Sequence, residues 1–545
     1  MRARGRNNMF WVGLLLFLCA CLPARANVYA TDIRLNGSLQ GGVVVPGCPV
    51  TISFVLNDTA TNVSVQIYAG SHVVKTCAAG TNTGLNTVVW DGTNEDGSAA
   101  AVGVYNVRIT AAAAGYGEWT NITDDGTNFY VFYPSGIAVN RNAASPYYGR
   151  VFIGNTYSGG GMAPGILKCN ADGSAAEEGG FSTGGYPWGG GGFPEPSPWK
   201  MDVGSDDRLY VDDWAQNGAA NGVVVSFDQL LSTNYFEVLR PDNYPYASIS
   251  LSGPCVTGEG TNMQIYMADV NPLAFGGMGI LSWTFDADGV ISSNDAGTVD
   301  VTLTNNSDLT LAPYAVSVAT NGNIYTIQRV TATNDPNPRV LCFPPPPSNG
   351  PPDTTALWEI GSGNPALVNN YGVAVDRTAT FVAVATRGYD NGNGPDDLQE
   401  GGVSIFLAAD GSLIAYIGQD PEGNANQECV EVAWDNVGNL YVLDFSDSVW
   451  RVYSQPGANQ ATTVAAPIIQ VYNALTPPQL SQPAASLGQL NFTLTGQSNV
   501  TYVIQQSPDL INWSPVATNF NPGLILPVSI DPPDTQDFYR AVAVP

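Results

Sequence analysis

Six short segments of one kind recur at nearly constant spacing along the middle of the chain: Arg150–Ile153, Arg208–Val211, Gln264–Met267, Asn323–Thr326, Thr380–Ala383 and Asn439–Val442. Their third positions fall at 152, 210, 266, 325, 382 and 441, so successive copies lie 58, 56, 59, 57 and 59 residues apart. Another alternating run precedes each, clearest at Gly136–Val139 and Gly372–Val375 and degenerate in the third copy around Cys255-Val256. A third run follows each, such as Gly165–Lys168, Val223–Ser226 and Val403–Phe406. Several of these end in Asp-Gly (172–173, 288–289, 410–411), the chemistry of tight hairpin turns. A unit of three strands cannot bury both of its faces alone, and six such units stacked in sequence close into a β-propeller. Composition agrees. Gly (60) and Pro (38) approach a fifth of the 545 residues and charged residues are only 12%, a balance that favours short strands and turns over long salt-bridged helices.

The copies resemble the G-[IV]-A-V-D…G-N-[IL]-Y-V-x-D pattern of NHL-like and related six-bladed propellers, most closely at Gly372–Asp376 and Gly438–Asp444. That resemblance implies a six-bladed propeller over residues 115–466. The period exceeds the roughly 40–50 residues of compact propeller repeats, so the loops carry insertions. A seventh blade at Thr501–Ile504 lacks a matching first strand, and Pro477-Pro478 interrupts the approach to it.

The N-terminus carries an address. Arg2, Arg4 and Arg6 precede an apolar run from Met9 to Leu22, and Ala24-Arg25-Ala26 offers small residues to a signal peptidase. Residues 1–26 therefore read as a secretory signal cleaved after Ala26, with Ala30 as a later alternative. Leu18–Cys21 also resembles a lipobox, which implies a lipid anchor at Cys21. No later stretch is long and apolar enough to span a bilayer, so an extracellular or cell-surface protein without a transmembrane span is expected. Lys+Arg is 19 against Asp+Glu 47, a formal charge of −28, and loss of the leader's four arginines takes it to −32. Nucleic acid needs a basic face and is not an expected partner. Histidine occurs once, at His72, which argues against a His-dependent triad or a His-ligated zinc site. No cofactor or metal is expected. Six cysteines remain after cleavage, none in a C-x-x-C pair. Cys48 and Cys77 share one small domain and are the single pair considered for a disulfide; otherwise the thiols are small buried hydrophobes.

Residues 27–114 read as a β-sandwich, with Val50–Leu56 and Val63–Tyr68 alternating about the turn at Asn57-Asp58. Trp90-Asp91-Gly92, Gly97 and Gly103-Val104-Tyr105 then resemble the W-D-G-x-x-x-x-G-x(5)-G-x-Y signature of the Ig-like domain of flagellar hook-capping proteins, which implies a structural spacer. Asp91, Asn94 and Asp96 lack the spacing and closing glutamate of an EF-hand loop, so turn chemistry accounts for them. Beyond a linker at 467–482, residues 483–545 form a small β-module built on Tyr502–Ser507, Asp509–Trp513 and Phe538–Val542. It resembles the C-terminal β-modules of large exported bacterial proteins. A sorting, attachment or glycan-contact role and a plain folding cap stay equally open. The expected architecture is all-β: an Ig-like β-sandwich, a six-bladed β-propeller and a small C-terminal β-domain.

Ligands of propellers use the face made by loops leading into the first strand and leaving the second. The leading positions are Ser135, Trp199, Pro254, Tyr314, Tyr371 and Glu428, and the leaving ones include Tyr157, Trp214, Arg329, Arg387 and Phe445. Trp188, Trp199, Trp214, Tyr314 and Tyr371 concentrate flat rings there, which suits stacking on a sugar or another planar ligand. The same rings would equally serve as a plug that packs blade against blade. Arg329 and Arg387 either grip a carboxylate or pair with the surplus acids, and Glu428 is the one obvious carboxylate. The favoured function is an exported, non-catalytic scaffold whose propeller binds a protein or glycan. The alternative is a secreted propeller hydrolase acting on carbohydrate or a lactone, which needs two or more carboxylates, or a metal cage, in one cleft.

Overall fold

A propeller blade is covered by a neighbour on each side, so its inner strands are buried on both faces and read as continuous apolar runs rather than clean alternation. Val151–Asn155, Leu209–Asp213, Ile324–Gln328 and Leu440–Asp444 are buried at every position. The computed structural model describes residues 27–45, 49–176, 179–188, 197–214, 223–239, 251–269, 278–286, 289–291, 297–303, 313–328, 339–347, 351–361, 367, 369–390, 398–418, 428–471, 478–486, 489–496, 500–521, 523, 525–531 and 537–544. Among these the regular elements are β-strands, apart from one short turn of 3-10 helix at Gly260–Asn262.

Six four-stranded antiparallel sheets form the blades. Blade 1 runs Pro134–Val139, Val151–Asn155, Gly165–Cys169 and Phe181–Ser182. Blade 2 runs Met201–Val203, Leu209–Asp213, Val223–Phe227 and Phe236–Leu239; blade 3 runs Leu251–Thr257, Gln264–Asp269, Met278–Thr284 and Thr298–Leu303. Blade 4 comprises Pro313–Val318, Ile324–Gln328, Arg339–Phe343 and Trp358–Ile360; blade 5 comprises Asn370–Val375, Phe381–Asp390, Leu398–Leu407 and Leu413–Ile417. Blade 6 has three strands in order, Cys429–Trp434, Leu440–Asp444 and Val449–Ser454, and takes its fourth, Thr120–Asn121, from the chain that leads into the ring. Each first strand packs on that of the next blade, and the sixth on the first. The ring is closed.

One arginine locks that closure. Arg451, 2% exposed, bonds Asp444 at 2.8 Å and Asp447 at 2.8 Å within blade 6, and reaches Asp125 of the incoming segment at 2.7 Å. Burial pushes the Asp444 carboxyl upward even so. Arg451→Leu leaves that carboxylate buried without a counter-charge, and the expected loss is about 3–5 kcal/mol in a denaturant titration. An unchanged unfolding midpoint would contradict the lock.

The sandwich differs from its expected bounds. One sheet is Ala30–Leu35, Val50–Leu56 and Gly84–Trp90. The other centres on the 14-residue strand Gly103–Tyr116, which pairs with Asn62–Ala69 and also with two strands that follow the propeller, Gly457–Val464 and Ile468–Val471. Residues 457–464, expected inside the propeller, and 468–471, expected in the linker, therefore belong to the sandwich. The propeller is an insertion whose two ends meet on one strand. Gly115 (φ +74°) makes that crossing possible, because a Cβ there would lie 1.6 Å from the Gly457 carbonyl. Asn27 joins the two bodies: its side-chain amide donates to the Gln455 carbonyl at 2.6 Å, and its own carbonyl accepts from Asn439 Nδ2 at 3.0 Å.

The turn Asp91–Ser98 is closed by its own side chains, with Asp91 accepting from Thr93 and Asp96 from Ser98, while Lys75 reaches the Asn94 carbonyl at 3.3 Å. Cys77 is a half-buried thiol raised by burial, and Cys48, its expected partner, lies outside the described residues. The C-terminal module pairs two three-stranded sheets, Gln479–Ser486, Gln489–Thr495 and Ile525–Ile530 against Ser514–Asn521, Val500–Ser507 and Phe538–Val544. Phe492, Leu494, Tyr502, Ile504, Val528 and Ile530 fill the space between them.

Candidate functional site

A bulge recurs at the same end of the first strand, and it sets where the leading residues point. Pairing skips one residue at Ser135, Tyr314, Tyr371 and Val430, and a longer irregularity takes in Gly253 and Pro254. In blade 2 Trp199 and Lys200 straddle Asp212 in the same way, with Trp199 N donating to the Asp212 carbonyl and Asp212 N donating to that of Lys200. A bulge strengthens local twist and re-aims a side chain. Here Trp199, Tyr314, Tyr371 and Val430 join one apolar cluster on the ring's inner side.

From that cluster a track of rings runs along one face of the propeller. Trp199 meets Trp214 edge-on with centroids 5.1 Å apart, Trp214 lies 6.0 Å from Tyr314, and Tyr314 lies 5.1 Å from Tyr371. The Arg387 guanidinium then sits 5.6 Å over Tyr371 and 4.6 Å over Phe445. Phe445 stacks on Tyr133 at 4.7 Å and stands 6.0 Å from Tyr157. Offset and edge-on ring pairs of this kind add about 0.5–1.5 kcal/mol each beyond their buried area. Arg387 Nε donates to Glu428 at 2.6 Å and Nη1 to the Tyr371 hydroxyl at 3.3 Å. The arginine pairs with an acid of its own chain and is clamped between two rings.

Exposure separates the track into base and surface. Trp199 (4%), Tyr314 and Tyr371 are buried, and Trp199 Nε1 donates to Ser252 Oγ at 3.1 Å. Trp214, Tyr157, Phe445, Arg387 and Glu428 are half-buried, and Tyr133 is exposed. Trp188 stands apart: it packs on Tyr186 at 4.7 Å and Phe227 at 5.7 Å in the wedge between blades 1 and 2. Its nearness to Trp199 in sequence does not carry over into space. Arg329 lies outside the described residues. Tyr133 was not among the expected residues; it precedes Pro134 at the start of blade 1 and adopts φ +45°.

Beneath the rings the axis is crossed by a buried ion pair. Lys200 of blade 2 binds the Glu431 carboxylate of blade 6, and its ammonium donates to the Tyr371 carbonyl of blade 5 at 2.7 Å. Burial pushes the Glu431 carboxyl up against the pull of Lys200. Gly372 is required beside it, since a Cβ there would lie 2.4 Å from the Glu431 carboxylate. Next to Lys200, the buried Asp212 carboxyl is pushed well above the usual range by burial and by Asp213. A small cavity of about 80 Å³ remains on the axis, walled by the first strands of the blades. Among the described residues no group of three or more His, Cys, Asp or Glu side chains is placed to hold a metal ion. No helix there is long and apolar enough to cross a membrane.

Comparison with known proteins gives one domain and a set of distant likenesses. Residues 44–115 match the FlgD Ig-like domain, so the sandwich contains an Ig-like domain of that description. No curated protein matches the chain. A family AA12 carbohydrate-active enzyme of Trichoderma reesei is 12% identical with a TM-score of 0.37, over 63% of this chain and 97% of its own. A glucose dehydrogenase is 11% identical with a TM-score of 0.38, over 62% of this chain and 99% of its own. The extracellular domain of a hybrid two-component system of B. thetaiotaomicron is 9% identical with a TM-score of 0.32, over 94% of this chain and 67% of its own.

Proposed function

We propose that the protein is an exported binding protein whose propeller holds an uncharged stretch of glycan along the ring track of blades 1, 2 and 4 to 6. The observation that carries this reading is the pairing of Arg387 with Glu428 on a floor of aromatic rings. The pair has donors and an acceptor side by side with no net charge, which suits vicinal hydroxyls better than an anion. On that buried base, the part-exposed rings of Trp214, Phe445 and Tyr157 and the exposed ring of Tyr133 offer apolar faces to the C–H faces of sugars. The −28 charge of the chain further disfavours a polyanionic ligand.

Two substitutions separate the ring surface from its support. Trp214→Ala should weaken binding to neutral polysaccharide by about 1–3 kcal/mol in affinity electrophoresis and leave the melting temperature near that of the parent. Trp199→Ala removes a buried indole and should cost about 3–5 kcal/mol of stability. Unchanged binding by the Trp214 variant, or no binding of the parent to any neutral glycan on an array, overturns the reading. Release of new reducing ends by the parent would support the hydrolase alternative instead.

A further inference from the structure

The opposite face of the ring carries a second concavity. Hairpins joining first to second strands in all six blades surround a bowl of about 870 Å³. Small-molecule sites occupy roughly 300–1,000 Å³, so the size fits a ligand of several linked units. Its free charges are segregated, since the one acid at the cationic end, Asp376 beside Arg377, is taken up by the backbone amides of Thr378, Thr380 and Phe381 and by the Thr378 hydroxyl. Arg141 on the hairpin of blade 1 and Arg377 on that of blade 5 flank Asn436 of blade 6, while Glu259 stands on blade 3 beside Asp206 of blade 2. In a six-membered ring blade 3 lies opposite blade 6, so Glu259 faces the arginine pair across the bowl.

These charges are not used up by the fold. Among the described residues neither the exposed Arg377 side chain nor the exposed Glu259 side chain makes a hydrogen bond or ion pair. Arg141 reaches Asp202 only at 3.5 Å, with 34% of its side chain exposed. Asp206 accepts from the Tyr210 hydroxyl at 2.8 Å and keeps further acceptor capacity. With Asp+Glu 47 against Lys+Arg 19, acids are in excess, yet here the Arg377 guanidinium, making no ion pair among the described residues, stands opposite the Glu259 carboxylate, which makes none either. A ligand carrying both charges would satisfy both ends at once, and a ligand carrying one would meet repulsion at the far side.

We propose that this bowl is a second ligand site, separate from the glycan track, and that it takes a short zwitterionic peptide. The terminal carboxylate lies at Arg377 and Arg141, and the terminal ammonium at Glu259 and Asp206. Apolar walls at Val256 and Val375 receive the side chains between.

The test uses the mature chain and isothermal titration with trialanine, its N-acetyl form and its C-terminal amide. Trialanine should bind at millimolar concentration or better, and blocking either end should weaken binding by about tenfold or more, as expected for losing a charge-assisted contact. Arg377→Gln should remove the preference for trialanine over its amide and keep the preference over the N-acetyl form; Glu259→Gln should do the reverse. Both residues are exposed, so the variants should melt with the parent and keep its glycan binding. Equal binding of the free and blocked peptides, absence of binding by free trialanine, or identical loss of both preferences in each variant would overturn the proposal.

Discussion

A chain cut after Ser454 is expected to lose the Ig-like sandwich while all six blades stay in place. The cut removes Gly457–Val464 and Ile468–Val471, which pair with both halves of Gly103–Tyr116. It also removes Ala465, Ile469 and Val471 from the sandwich core, where Ile469 is fully buried. Loss of one large buried aliphatic side chain costs about 2–5 kcal/mol, so losing Ile469 and Val471, together with Ala465 and two strand pairings, is comparable with the 5–15 kcal/mol that holds a typical domain together. Both this chain and one ending at Val471 lack the C-terminal module, so the two are compared with each other: calorimetry of the chain ending at Val471 should show a sandwich transition that the chain cut after Ser454 lacks. Gly115→Val should reproduce part of the defect in the full chain, since its Cβ would collide with the Gly457 carbonyl. A chain cut after Ser454 that keeps every transition of the chain ending at Val471 would show that the sandwich needs no return of the chain.

Stability should rise, not fall, on mild acidification. Burial pushes the carboxyls of Asp435 and Asp300 up to about 6, and raises Asp202, Asp212 and Glu431 as well. A carboxyl whose folded pKa lies above its unfolded value favours the folded state below the unfolded pKa of about 4, and that contribution is lost as pH climbs through the folded pKa. Asp435, 2% exposed, is alone worth about 3 kcal/mol by this linkage. Asp91, Asp96 and Asp410 act oppositely, their carboxylates held low chiefly by side-chain hydrogen bonds from Thr93, Ser98 and Ser412. Their contribution is present above about 4 and is lost as pH falls through their lowered values. The melting temperature should therefore peak at about pH 4 and decline as pH climbs through about 6 toward neutrality. A steady fall from pH 7 to pH 5 would contradict the burial of these acids.

The ring was legible in the sequence because its inner strands are covered on both sides, which leaves apolar runs at a fixed period. The fourth strands were not. Phe181–Ser182 and Trp358–Ile360 are short and partly exposed, so no pattern marks them. The two-residue strand Thr120–Asn121 that closes blade 6 has no signal of its own, and its partner Ser454 lies more than 300 residues away. Gly457–Val464 alternates, but its buried positions are the polar Asn459 and Thr463 while the apolar Ala458 and Val464 face outward, so it does not read as a core strand. At the candidate site the aromatic leading positions were visible, but the bulges that turn Tyr314 and Tyr371 into the interior were not. The Lys200–Glu431 pair joins residues 231 apart, a proximity that only the closed ring creates.

Hydroxyl-radical footprinting of the protein, with and without a neutral polysaccharide retained in affinity electrophoresis, tests the central claim most directly. Trp214, Phe445, Tyr157 and Tyr133 should lose reactivity together on binding, while Trp513 and Phe520 of the C-terminal module keep theirs. Protection confined to Trp513 and Phe520, with the propeller rings unchanged, would place the glycan on the C-terminal module and contradict the account.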